Sequence, residues 1–221
     1  GCDKALSCGE IAVTVRELRE EGEPTLIASG TAEVGGGTAV VERIRGLLLD
    51  LGESPMQIET EALLFLAARR ELVQDRILPA LKAGQVVVCD RFADATLAYQ
   101  GYGRGMDLAT LRTLNAFATT ALTPDLTLLL DLPVEEGLRR RKQDPAEWNR
   151  FDAASLAFHQ AVRAGYQQLA AAEPERWRII DASRSAEAVA EAVWAAIALG
   201  REAVEASIQA GVAGPAAPPS G

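Results

Sequence analysis

Four short apolar runs set the limits on what this chain can become: TLIA at 25–28, QVVVC at 85–89, DLTLLL at 125–130 and WRII at 177–180. Each is too short for a stable helix and reads as a strand, and QVVVC and DLTLLL have the pattern of strands buried within a sheet. Long segments of helical periodicity separate them: Thr38–Asp50, Glu59–Leu81, Asp107–Ala121, Val134–Lys142, Asp152–Ala172 and Ala186–Ala210. Strands alternating with helices of this length predict parallel βα units and an α/β fold, a sheet covered by helices on both faces. Ahead of them, Ile11, Val15 and Leu18 recur at helical spacing within residues 7–21, which predicts one more helix, with Gly22 as its C-cap. In Thr38–Asp50 the predicted inward residues are Ile44, Leu47 and Leu48. Ser185 is the predicted N-cap of the last helix.

At 221 residues the chain is one domain with a tail, long enough for a full three-layer core. The domain is predicted over 1–200, a helical extension over 201–210 and a disordered Pro/Ala/Gly tail over 211–221. A net charge of −9 excludes a general nucleic-acid binder held by phosphate contacts, though not a small nucleotide in a local cationic pocket. Cys2, Cys8 and Cys89 have no zinc spacing, so a reduced, cytoplasmic protein is expected. No apolar run reaches ~18 residues, so no transmembrane helix is expected. No signal peptide is visible, and a chain that starts at glycine is consistent with a missing natural N-terminus.

The chemistry concentrates after the second run. DRFADATLAYQGYGRG, Asp90–Gly105, places an acid and an arginine at the end of a buried strand, where open α/β sheets bind ligands. Aromatics, an amide, three glycines and a second arginine follow, as expected of backbone folded closely around a polar ligand.

This stretch closely resembles the DR-[YF] segment of bacterial thymidylate kinases. The resemblance continues through LLLDLGESPMQIETEALLFLAARREL before it, and through PDLTLLLDLPVEEGLRRR and RFDAASLAFHQAVRAGYQQLAAAEPERWRIIDASRS after it. It covers Val41 to roughly Ala195, about two thirds of the chain. It implies the P-loop nucleoside monophosphate kinase fold, phosphoryl transfer from ATP to dTMP with Mg²⁺, and a homodimer formed through the Glu59–Leu81 and Asp107–Ala121 helices.

The family's acceptor positions are matched in place. Phe65 and Arg69, at i and i+4 on one helix face, match residues that stack on and hydrogen-bond to thymine. Asp90 matches an acid near the metal, and Arg91 an arginine on the substrate phosphate. Thr96 and Gln100 match base and discrimination contacts, Tyr99 the aromatic near the deoxyribose, and Asp3 the aspartate near the 3′-hydroxyl. Arg139, Arg140, Arg141, Lys142 and Arg150 bracket the polar loop Gln143–Asn149. The resemblance makes this a mobile lid over about 139–152, with Arg139, Arg141 and Arg150 catalytic and Arg140 on ATP. A helix dipole alone accounts for one or two cations at a helix end, not four. His159, the single histidine, is expected to be a packed residue.

The donor positions are altered. The family loop G-x-D-G-x-G-K-[ST]-[ST] cradles phosphates with backbone N–H groups. Here it reads G-C-D-K-A-L-S-C-G from Gly1: Gly1 and Asp3 match, Ser7 stands for the lysine and Cys8 for the metal-binding hydroxyl. A second register makes Lys4 the phosphate lysine. The family's T-R-E-P-G-G-T loop reads A-E-V-G-G-G-T at Ala32–Thr38. A truncated or faulty gene sequence and genuine functional decay both fit one contiguous altered block. Three functions stay open: a dTMP kinase, a pseudo-kinase that keeps the dTMP pocket, and a kinase for another nucleoside monophosphate, against which Phe65, Arg69, Thr96 and Gln100 argue.

Overall fold

The computed structural model describes residues 9–15, 38–49, 56–143 and 149–209, with the backbone alone for 9–15 and 200–209. Its strands are β1 (Gly9–Val15), β2 (Val86–Asp90), β3 (Leu126–Asp131) and β4 (Trp177–Asp181), in the sheet order β2-β1-β3-β4. The helices are α1 (Ala39–Leu49), α2 (Ile58–Leu72), α3 (Leu78–Lys82), α4 (Ala93–Thr96), α5 (Leu108–Thr119), α6 (Val134–Arg141), α7 (Leu156–Ala172) and α8 (Ala186–Gln209).

β3 shows how a largely apolar run makes a central strand. Leu126, Leu128 and Leu130 pack with Ile180, Val189 and Ala196, against α8. Leu129, on the opposite face, packs with Tyr166, Leu169 and Trp177, against α7. Successive side chains alternate between faces, so a strand buried on both is apolar at nearly every position; the buried exception, Thr127, accepts a hydrogen bond from Arg176 Nη1 at 2.8 Å. β2 repeats the arrangement, with Val87 and Cys89 against Leu72, Val73 and Ile77 and with Val86 and Val88 on the α8 side. The result is the three-layer architecture expected.

The N-terminal helix predicted over 7–21 is corrected: Gly9–Val15 is a strand. It pairs antiparallel with both neighbours, Ile11 opposite Asp90 of β2 and Gly9 opposite Leu130 of β3. β3 and β4 are parallel, and β2 runs in the same direction because both it and β3 oppose β1. The parallel sheet expected is present in three co-directional strands, β2, β3 and β4, with one reversed strand, β1, among them. Helical spacing of Ile11 and Val15 was a weak signal beside two strand edges whose N–H and C=O groups require partners. Ile11, Val13 and Val15 also alternate with a period of two and are all β-branched. The predicted strand at 25–28, the glycine-rich loop after it and the tail lie outside the described residues.

The helix predicted over Glu59–Leu81 is interrupted by a π-helical turn, Val73–Ile77. Pro79 explains it, because its ring cannot sit beside the carbonyl of Asp75 in a regular helix. A longer π-helical turn, Leu97–Gly103, follows α4. It is pressed onto α7: a Cβ on Gly103 would lie 2.7 Å from the Phe158 ring, and one on Gly165 would lie 2.6 Å from Tyr102. The glycine at 103 thus serves helix packing, not the ligand approach expected from the sequence. In α1, Val41 and Leu48 are the buried residues, and Leu47, predicted inward, is 60% exposed. Asp107, Ser155 and Ser185 cap α5, α7 and α8, each side chain accepting from a backbone N–H three residues on.

Candidate acceptor site at the end of strand β2

β2 delivers Asp90 and Arg91 to the crevice at the sheet's edge. Arg91 has φ 59°, the left-handed region. A non-glycine residue there costs on the order of 1–3 kcal/mol, and such strain is found where a side chain must be aimed. The Arg91 guanidinium lies 5.0 Å from the centre of the Tyr99 ring, a cation–π contact.

Beside Arg91 is a pocket of about 360 Å³, open to solvent, that Phe65, Arg69, Arg91, Thr96, Tyr99 and Gln100 line. These are six acceptor-site residues picked out in the sequence, drawn from α2, β2, α4 and the second π-helical turn. Phe151 closes it, with its ring 5.6 Å from Phe65 and 6.0 Å from Tyr99.

Two buried networks hold the polar wall. Arg69, 3% exposed, donates to Thr96 Oγ1 at 2.7 Å and to Asn115 Oδ1 at 2.9 Å. Asn115 in turn donates to the Ala93 carbonyl at 3.0 Å. On the other side Glu61, 1% exposed, accepts from Gln100 Nε2 at 2.8 Å. Its second oxygen lies 3.4 Å from Arg104 Nη2 and 3.0 Å from Arg150 Nη2. Sequence reasoning missed Glu61, Arg104, Asn115 and Phe151. For Glu61 a signal existed, since it precedes Phe65 and Arg69 at i−4 and i−8 and so shares their helix face.

The arginines expected to belong to a lid are not part of the pocket's lining. Arg150 is tied to Glu61 and donates to the Leu48 carbonyl at 3.1 Å. Arg141, buried, donates to Asp152 at 3.1 Å, so the two ends of the loop are joined. Arg140 donates to Glu136 and to the Ala182 carbonyl, at 2.8 and 2.9 Å. Arg139, largely exposed, makes a two-pronged pair with Glu136. Hydrogen bonds from Arg139 and Arg140 hold the Glu136 carboxyl down at about 2. The lid tip, 144–148, lies outside the described residues, as do Gly1, Asp3, Lys4, Ser7 and Cys8. His159 is half-buried with its ring 5.4 Å from Phe158, and burial lowers its pKa. It is the packed residue expected.

Among the described residues no group of three or more His, Cys, Asp or Glu side chains forms a metal cage. No helix among the described residues is long and apolar enough to cross a membrane.

Comparison with known proteins agrees with this geometry. The family model for thymidylate kinase matches residues 12–193. The chain is 51% identical over 197 residues to the thymidylate kinase of Thermomicrobium roseum, covering 89% of this chain and 90% of that one. It is 54% identical over 160 residues to that of Desulfovibrio desulfuricans, covering 70% and 74%. With the thymidylate kinase of Geotalea uraniireducens it shares 44% over 202 residues, covering 89% and 92%. The chain whose β2 end, α2 face and π-helical turn build this pocket belongs to the thymidylate kinase family.

Proposed function

We propose that this protein binds dTMP in the pocket beside Arg91 and phosphorylates it with ATP and Mg²⁺, giving dTDP and ADP. The convergence of six residues chosen from sequence on one pocket is the observation that carries this reading. Phe65 stacks on the thymine, Arg69 and Thr96 meet its polar edge, Tyr99 lies against the sugar and Arg91 binds the phosphate. A phosphate oxygen of dTMP forms a new bond to the γ-phosphorus of ATP as the bond from that phosphorus to the β–γ bridging oxygen breaks. The attacking oxygen is already ionised, so no general base is needed. Catalysis rests on alignment and on positive charge around the transferring group. Arg91 and the exposed Arg139 supply that charge, while Arg141 and Arg150, tied to Asp152 and Glu61, hold the ends of the lid. Arg140 belongs to the donor side. Asp90 would hold Mg²⁺ brought in with the nucleotide, and the ion would supply neutralisation of phosphate charge. The protein acts in the cytoplasm as a homodimer; the exposed Leu63 on α2 and Phe117 on α5 support pairing through these helices.

One observation favours a second reading, in which dTMP is bound without turnover. A phosphate loop follows a strand and opens a helix. The stretch that matches the phosphate loop, Gly1–Gly9, runs here into strand β1 and not into a helix. Isothermal titration with dTMP, and separately with ATP–Mg²⁺, distinguishes the two readings. Binding of both, with ADP release in a coupled assay, supports the kinase. Binding of dTMP alone supports the second reading, and binding of neither overturns both.

A further inference from the structure

We propose that Glu61 is a positioning residue that sets which hydrogen-bonding pattern Gln100 presents to the base. The inference rests on the reading of the pocket as a thymidylate site and deepens it.

Glu61 lies at the start of α2, is 1% exposed and, as a carboxylate, can only accept hydrogen bonds. Gln100 is equally buried and lines the pocket. An amide against a carboxylate must turn its NH₂ toward it, as the 2.8 Å bond from Nε2 to Glu61 Oε1 records. The Gln100 carbonyl oxygen is then the atom left for the pocket. Thymine carries a donor at N3, whereas cytosine carries an acceptor there. A fixed acceptor in the wall therefore selects for thymine and leaves a cytosine lone pair facing another lone pair. Discrimination of this kind is strong because the mismatched groups are buried and unpaired.

The rest of the Glu61 network fixes the direction. Its second oxygen faces Arg104 and Arg150, at 3.4 and 3.0 Å. In a Glu61→Gln variant the single remaining oxygen goes to the two cations, because hydrogen bonds to charged partners are about twice as strong as neutral ones. The new NH₂ then faces Gln100, which must rotate to accept, and its own NH₂ turns toward the base. One isosteric change thus converts the pocket's acceptor into a donor.

The test compares dTMP with 5-methyl-dCMP by isothermal titration, without ATP. The two nucleotides differ only at positions 3 and 4 of the ring. The expected result is that Glu61→Gln lowers the ratio of dTMP to 5-methyl-dCMP affinity by about tenfold, roughly the worth of one buried hydrogen bond, and that it has little effect on this ratio in a Gln100→Leu background. A purely structural role for Glu61 would weaken both nucleotides together and leave the ratio unchanged; that outcome overturns the inference. An equal effect of Glu61→Gln with and without Gln100 overturns it too. Gln100→Leu alone provides an arm that does not depend on the Glu61 variant folding: it must also lower the ratio, and an unchanged ratio refutes the proposal. Failure of the parent protein to bind dTMP would instead remove the reading of the pocket on which the inference stands.

Discussion

Replacing Gly165 with alanine tests whether α7 sets the shape of the pocket from behind. The added Cβ would lie 2.6 Å from Tyr102 Cγ and Cδ2 and 2.7 Å from Tyr102 Cβ. Ordinary contact begins near 3.4 Å, so about 0.8 Å must be absorbed. Turning the ring does not relieve a clash with Cβ, so the backbone of the π-helical turn has to move. Overpacking of this kind costs about 1–3 kcal/mol, and alanine in place of a mid-helix glycine returns about 1 kcal/mol. Because the backbone is involved, the upper half of the range applies, a net loss of about 1–2 kcal/mol. For a domain of this size that lowers Tm by about 2–8 °C. Gly46 in α1 is the control: a Cβ there meets nothing within 4 Å, so Gly46→Ala should raise stability by up to ~1 kcal/mol. Scanning calorimetry of the two variants beside the parent reads both. Since Tyr99 and Gln100 lie in the turn that carries Tyr102, Gly165→Ala should also weaken dTMP binding several-fold. If Gly165→Ala melts above the parent, as Gly46→Ala should, the interface is not tight and the reasoning fails.

Arg69→Met removes the donor shared by Thr96 and Asn115 and should weaken dTMP by about tenfold or more, with ATP binding untouched; titration with each nucleotide checks it. Arg176→Met leaves Asp94, which it holds through bonds of 2.7 and 3.1 Å, as a buried carboxylate without its main partner. A loss of about 3–5 kcal/mol is expected, part of it recovered by adding Asp94→Asn, and urea melts measure both. Glu136 has a carboxyl depressed from an ordinary 4.5 to about 2 by hydrogen bonds from Arg139 and Arg140. Depression of an acid means that its stabilising contribution is complete above about pH 4.5 and is lost as pH falls toward about 2. Carbon-detected NMR titration of Glu136 reads the midpoint, and a value near 4.5 would show that the two arginines do not grip the end of α6 in solution.

What could be read from sequence, and what could not, divides along the range of the forces involved. β2 and β3 were legible because a strand buried on both faces is apolar at nearly every position, and that condition is written locally; β4, at the sheet's edge with Ile179 exposed, was legible as a short run rich in β-branched and aromatic residues. The start of α8 was legible for the same reason, fixed by Ser185, which accepts from the N–H three positions on; the start of α7, expected at Asp152, falls instead at Leu156 after its cap Ser155. Most of the pocket's lining could be picked out because Phe65 and Arg69 share a helix face and Arg91, Thr96, Tyr99 and Gln100 lie within one short stretch. Glu61 was not, because an acid in the first turn of a helix is already explained by the dipole; its meaning lies in Gln100, Arg104 and Arg150, far along the chain. β1 was not, because its own residues allow helix or strand and two distant strand edges decide between them. That last case reaches into function. The pocket proposed for the acceptor is lined by residues between 49 and 151, whereas the sequence match to a phosphate loop, Gly1–Gly9, ends at the first residue of β1. On the proposed function the two halves of a phosphoryl-transfer site are thus encoded in separate parts of the chain. Binding of dTMP and binding of ATP are on this argument separable properties, which is why each nucleotide must be titrated alone before turnover is measured.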